Sequence, residues 1–159
     1  MKSLKINRIL ILLTLFVSFV SLKTWAQISN PVASSLTVNN PWNESQVLEP
    51  SVLADQIKTG RTNMPLILNI GAVEDIKGAK HIGAVNDAKN LEQLKSAVAA
   101  LPKNTSIVIY CGCCPFAKCP NIRPAFLELK KSGFTNVKLL NLPTNLKTNW
   151  IANGYPLAE

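Results

Sequence analysis

The chain has 159 residues, 47% of them hydrophobic and 16% charged, which allows one globular domain of ordinary size and excludes a large multidomain enzyme. The formal charge is +8, from 17 Lys plus Arg against 9 Asp plus Glu, but Lys2, Lys5, Arg8 and Lys23 lie in the first 26 residues with no acid among them, leaving 13 against 9, or +4, for the rest. No Lys/Arg run with interleaved aromatics accompanies that charge, so nothing points to a nucleic-acid partner.

Residues 1–26 read as a secretory signal peptide. Met1 to Arg8 carries three cations, Ile9 to Leu22 is apolar except for Thr14, Ser18 and Ser21, and Thr24-Trp25-Ala26 precedes Gln27 in the pattern of a signal-peptidase site. The apolar run of about 14 residues is shorter than the roughly 20 of a membrane-spanning helix. Export to a bacterial periplasm is expected, with no stable membrane association after cleavage. Residues 27–49, rich in Ser, Asn and Pro, read as a polar N-terminal segment with little core-forming content.

From residue 50 to residue 159 helical and strand patterns alternate. Ser51 can cap a helix carrying Val52, Leu53 and Ile57, ended by Gly60. Pro65 to Ile70 is a short apolar run, hence a buried strand, and His81-Ile82 lies in a weaker one. Asn90 can cap an amphipathic helix in which Leu91, Leu94, Val98 and Leu101 recur at helical spacing before Pro102. Ser106 to Tyr110 is the best strand of the chain. A cysteine-rich loop follows, then a helix bearing Ala125, Phe126 and Leu129 with Gly133 at its end, then the strand Val137 to Leu140. This alternation predicts a single three-layer α/β domain, a central parallel sheet of about four to five strands with helices on both faces. Trp42, Trp150 and Tyr155 are spread without periodicity and read as packing residues.

The cysteines carry the functional signal. Cys111, Cys113, Cys114 and Cys119 are the only ones, and they fall within nine residues. A disulfide framework would be spread along the chain, so the clustering points to chemistry at one site. Cys111 directly follows a predicted buried strand and precedes a helix, the place where open α/β sheets bind ligands. Backbone N–H groups of such a loop favour a thiolate over a thiol. Gly112, lacking a side chain, lets the loop turn sharply and leaves its N–H beside Cys111.

At these residues the chain resembles the rhodanese-like family, over residues 42–156. Tyr110-Cys111 ending a strand, then a loop and a helix, then Gly133-Phe134-Thr135-Asn136-Val137 and Trp150 to Pro156, match the family's second half in order. Ile76 to Ile82 is similar to its Ile-Pro-Gly-Ala signature, and His81 to Asn86 fits in a second register. The loop Cys111-Gly112-Cys113-Cys114-Pro115-Phe116, continuing through Cys119-Pro120-Asn121, is similar to that of an exported bacterial subgroup. Two departures stand out. The loop is longer than the family's, with Arg123 the nearest equivalent of its closing Arg, and Asn69-Ile70-Gly71 stands where the family usually has Asp-Val-Arg.

The resemblance implies a sulfurtransferase with Cys111 as catalytic nucleophile and Gly112, Cys113, Cys114, Phe116, Cys119, Asn121 and Arg123 as its active-site loop. It implies no cofactor. A small sulfane-sulfur donor would load Cys111 as a persulfide, and a thiol or cyanide would take the sulfur. The extra cysteines leave two alternatives open. Cys114 and Cys119 could form a small disulfide, or one of them could resolve a persulfide, which makes periplasmic thiol-disulfide exchange a second reading. A third is a soft-metal module, with Cys111, Cys113, Cys114 and Cys119 as ligands of Cu(I) or Zn(II). His81, the one histidine, reads as an ordinary strand residue.

Overall fold

The computed structural model describes residues 40–159; the predicted signal peptide, and the predicted polar segment as far as residue 39, lie outside the described residues. Five short strands, β1 (Val47–Leu48), β2 (Leu66–Asn69), β3 (Ala79–His81), β4 (Ile107–Tyr110) and β5 (Val137–Leu140), form one sheet in the order β1-β5-β4-β2-β3. Every strand pairing is parallel. Helices α1 (Pro50–Thr59), α2 (Ala88–Val98), α3 (Ile122–Lys131) and α4 (Leu146–Asn149) cover its two faces. The architecture is the three-layer α/β domain that the alternating pattern predicts. No helix among the described residues is long and apolar enough to cross a membrane.

β4 is the middle strand, buried on both sides, which is why Ile107-Val108-Ile109-Tyr110 is apolar without alternation. Its side chains still alternate in direction, two residues to a repeat. Ile107 and Ile109 join Leu94 and Val98 of α2 and Ala125, Phe126 and Leu129 of α3 in one core. Val108 and Tyr110 join Leu53 and Ala54 of α1, Leu146 of α4 and Trp150 in the other. The next residue in that alternation is Cys111, which falls on the α3 side.

Several boundaries differ from those read in the sequence. The polar segment is not all tether: Val47 and Leu48 pair with Leu139 and Leu140 as an edge strand, and Trp42 packs against Phe126 with ring centroids 5.8 Å apart. A strand of two residues is too short to show a period, and the Asn, Ser and Glu around it dominate the composition. Helix α1 begins at Pro50 after Glu49 rather than behind a Ser51 cap, as suits a residue whose missing N–H is no loss at the first helical position. Val52 is 45% exposed, so the buried stripe of α1 is Leu53 and Ala54. Helix α2 starts earlier than Asn90 because Asp87 caps it, its carboxylate accepting the Lys89 N–H at 2.7 Å. Asn90 instead donates from Nδ2 to the Ala84 carbonyl at 3.0 Å. Gly60 ends α1, as read, and does so in the left-handed conformation.

Candidate active site

The site forms where β4 ends at the carboxyl edge of the sheet. The Ile70 N–H donates to the Tyr110 carbonyl at 2.9 Å, so the chain leaving β2 still runs beside the one leaving β4. At Gly71 the two backbones come so close that a Cβ would fall on the Cys111 carbonyl. Any side chain there would push Cys111 out of place, which gives the glycine after β2 a physical reason. Asn69 secures the same exit: its Oδ1 accepts the Gly71 N–H at 3.0 Å, and its Nδ2 donates to the Val73 carbonyl and the Asp75 carboxylate, both at 2.8 Å. His81, at the end of β3, pairs with that carboxylate through Nδ1 at 3.0 Å. This places the exposed His81 beside the half-buried Asp75 and the buried Asn69, in keeping with its reading as a strand residue.

Cys111 is 1% exposed and Asn121 4%. Asn121 occupies the N-cap position of α3, yet its side chain makes no cap hydrogen bond. It spans two other partners: Oδ1 accepts the Asn86 N–H at 2.9 Å, and Nδ2 donates to the Cys111 sulfur at 3.2 Å. The Asn86 N–H can only donate, so it fixes the amide with its NH₂ toward the sulfur. Gly112 takes φ +77°, and a Cβ there would lie 2.9 Å from Leu146 Cβ and 3.0 Å from Val73 Cγ2. Its carbonyl accepts the Leu146 N–H at 2.8 Å, tying the loop to α4.

The four cysteines are free thiols. Cys111 and Cys113 have their sulfurs 3.2 Å apart, and Cys113 and Cys114 theirs 3.4 Å apart. Cys111, Cys113 and Cys119 form a group whose sulfurs all lie within 4.8 Å of one another. Hydrogen bonding from Cys119 is the largest influence on Cys111 and holds its thiol well below the usual range, at about 5, with Asn121, the Cys113 side chain and the Cys113 N–H helping and burial opposing. Burial, with the bonds to Cys111 and Cys114, pushes Cys113 up to about 12. The bond to Cys111, with burial, pushes Cys119 up. These shifts favour the thiolate on Cys111 and the thiol on Cys113 and Cys119.

The loop residues read from the sequence divide accordingly. Cys111, Cys113, Cys119 and Asn121 converge on one point. The backbone group acting on the Cys111 sulfur is the N–H of Cys113, not that of Gly112 as the sequence suggested. Cys114 touches Cys113 but stands outside the three-sulfur group. Phe116 is an anchor: its N–H donates to the Leu142 carbonyl at 3.1 Å, and its ring lies 6.3 Å from that of Trp42. Arg123 engages the segment before β1, donating to Asn40 Oδ1 at 3.2 Å and stacking over the Trp42 ring at 5.6 Å. Gly71, Asn69 and Asn86 were missed as site residues. The buried strand running into Asn69-Ile70-Gly71 is the signal for the first two, and it says nothing of Asn86.

No family model matches the chain, and no curated protein matches it. Among solved structures it is similar to the crystal structure of the Alr3790 protein from Anabaena sp., with a TM-score of 0.50 and 22% identity, over 70% of this chain and 90% of that one. At that identity the likeness bears on the fold alone, and it agrees with the parallel α/β architecture. The chemistry has to be argued from the cysteine cluster itself.

Proposed function

We propose that the chain is an exported, rhodanese-like sulfurtransferase that carries sulfane sulfur as a persulfide on Cys111. The observation that supports this best is the buried Cys111 sulfur at the carboxyl end of the central parallel strand, with donors from Cys119, Asn121 and Cys113 that lower its pKa to about 5 and so favour the thiolate. A thiolate is the nucleophilic form of cysteine, and one already ionised at neutral pH needs no separate base. In the first half-reaction Cys111 Sγ attacks the outer sulfur of a sulfane donor such as thiosulfate. A bond forms between the two sulfurs, and the bond to the donor breaks with its electron pair leaving on the donor. In the second, a thiol or cyanide attacks the terminal sulfur and Cys111 departs as a thiolate, a leaving group improved by its low pKa. Exposure to a periplasm follows from the amino-terminal pattern. Donor and acceptor are small, and no cofactor takes part.

The test is intact-mass measurement of reduced protein after treatment with thiosulfate or inorganic polysulfide. The expected result is that sulfur loads on Cys111, seen as a gain of one sulfur there when the neighbouring Cys113 is replaced by serine, and Cys111→Ser should abolish the loading and the transfer to cyanide. Sulfur incorporation on other cysteines alone would refute the assignment.

A second reading rests on the three sulfurs within 4.8 Å of one another. With metal–sulfur bonds near 2.3 Å, ligand sulfurs lie about 4 Å apart, so Cys111, Cys113 and Cys119 suit a three-coordinate soft ion such as Cu(I). Cys114 stands outside that group, which speaks against a four-thiolate zinc site. On this reading Cys114→Ser keeps stoichiometric Cu(I) binding, whereas serine at any of the other three removes it.

A further inference from the structure

Cys111 and Cys113 differ sharply in access. Cys111 is buried, and Cys113 is exposed directly beside it, with 3.2 Å between the sulfurs. Any small acceptor that comes for sulfur held on Cys111 therefore competes with a thiol already in contact with the inner sulfur of the persulfide. An internal thiol has the advantage of an intramolecular reaction, with no partner to bring up from solution. Gly112, at φ +77°, turns the chain so that the two side chains lie together. A disulfide requires a sulfur separation of about 2.05 Å, so a swing of about 1 Å by the exposed Cys113 side chain brings the pair to bonding distance.

We propose that Cys113 is the resolving thiol of this site, discharging the persulfide of Cys111 as hydrosulfide and closing a Cys111–Cys113 disulfide. The inference rests on the persulfide reading above. Cys113 Sγ attacks Cys111 Sγ, the inner sulfur. The new bond joins the two cysteine sulfurs, and the bond from Cys111 to the terminal sulfur breaks. That sulfur leaves with the electron pair and takes the Cys113 proton, as HS⁻. The sulfane sulfur is reduced to sulfide, and the two cysteines are oxidised to the disulfide, the oxidising equivalents having arrived with the sulfane donor. Each turnover then stops at the disulfide until an external dithiol reopens it. The neighbouring Cys114 is a poor internal rescuer, because moving the bond to Cys113–Cys114 would create a strained disulfide between adjacent residues. When no external acceptor takes the sulfur first, the site thus also acts as a sulfane-sulfur reductase, which needs a dithiol partner to reopen the disulfide.

The experiment treats reduced, desalted protein with one equivalent of thiosulfate, whose leaving group on loading is sulfite so that sulfide comes only from the resolving step, and follows released sulfide, intact mass and peptide maps. Wild type should release sulfide without added thiol and lose two hydrogens in mass, at Cys111 and Cys113. Cys113→Ser should gain one sulfur at Cys111 and release no sulfide until a thiol is supplied. Cys114→Ser should behave as wild type. A wild type that keeps its sulfur on Cys111 overturns the resolving step and leaves the persulfide reading standing. The same holds if Cys113→Ser still releases sulfide with a Cys111–Cys119 disulfide. If Cys113→Ser fails to load while Cys111→Ser collects sulfur on Cys113, the order of the thiols is reversed and the inference is wrong. Failure of every variant to gain sulfur on Cys111 overturns both.

Discussion

Asn121 shows how one side chain can set the chemistry of another. A helix N-cap position is one where a carboxamide usually satisfies the free N–H groups of the first turn. Here the carboxamide forgoes that bond and is spent on the Cys111 sulfur and the Asn86 N–H. Along with the bond from Cys119 it favours the charged form of Cys111, against the cost of burial. The iodoacetamide reaction of Cys111, followed by peptide mapping in the Cys113→Ser background, should accordingly fall off below a midpoint well under the ordinary thiol range and stay flat above it. Cys119→Ala should move that midpoint upward the most, since its hydrogen bond is the largest influence. Asn121→Ala should move it upward too, and Asn121→Asp further than Ala, because it adds a like charge beside the thiolate. A midpoint that stays put in Cys119→Ala and Asn121→Ala would mean that these groups do not hold the charge.

Among the elements, the segment before β1 has a role that composition hides. Trp42 lies against Phe126 of α3, against Phe116 of the cysteine loop and under the Arg123 guanidinium, so it links the edge of the fold to the loop. Removing that half-buried ring should cost about 2 kcal/mol, below the range for a fully buried tryptophan. Trp42→Ala should also speed amide exchange at Phe116, whose N–H is bound to Leu142; unchanged exchange there would show that the loop holds itself. The strands and helices with long apolar patterns were legible in the sequence: β2, β4, β5, α3 and the helix-ending Gly60 stand where the residues indicated. What escaped was short or polar. β1 has two residues, and the cap of α2 is chosen between Asp87 and Asn90 by backbone geometry that periodicity cannot see. At the site, Cys111 was legible because it ends an apolar strand. The direction of Arg123 toward Trp42, and the convergence of Cys119 on Cys111 rather than Cys114, depend on tertiary contacts.

At the scale of the whole molecule, the parallel sheet gathers distant segments around one sulfur. The turn after β2 brings Gly71, the loop before α2 brings the Asn86 N–H, and α4 holds Gly112 through Leu146. Gly71, Asn86 and Leu146 are far from Cys111 along the chain, and Cys119 and Asn121 meet its sulfur only in the fold, so in the unfolded chain the thiol titrates as any cysteine does, around 8.5. Folding and ionisation are therefore linked. A group whose pKa is lowered by folding stabilises the fold fully above its unfolded value, and loses that contribution as the pH falls through its folded value. For Cys111 the window runs from about 5 up to the ordinary thiol range. Cys113 and Cys119 are raised, so their contributions are present below the ordinary range and fade above it. The difference in unfolding free energy between wild type and Cys111→Ala, measured with urea under reducing conditions, should thus increase from about pH 5 to about pH 8.5 and decline beyond. Its slope cannot exceed about 1.4 kcal/mol per pH unit, the limit for a single proton. A difference that stays level across that window would mean that the folded protein does not favour the Cys111 thiolate, and the nucleophile would have to be sought elsewhere in the cluster.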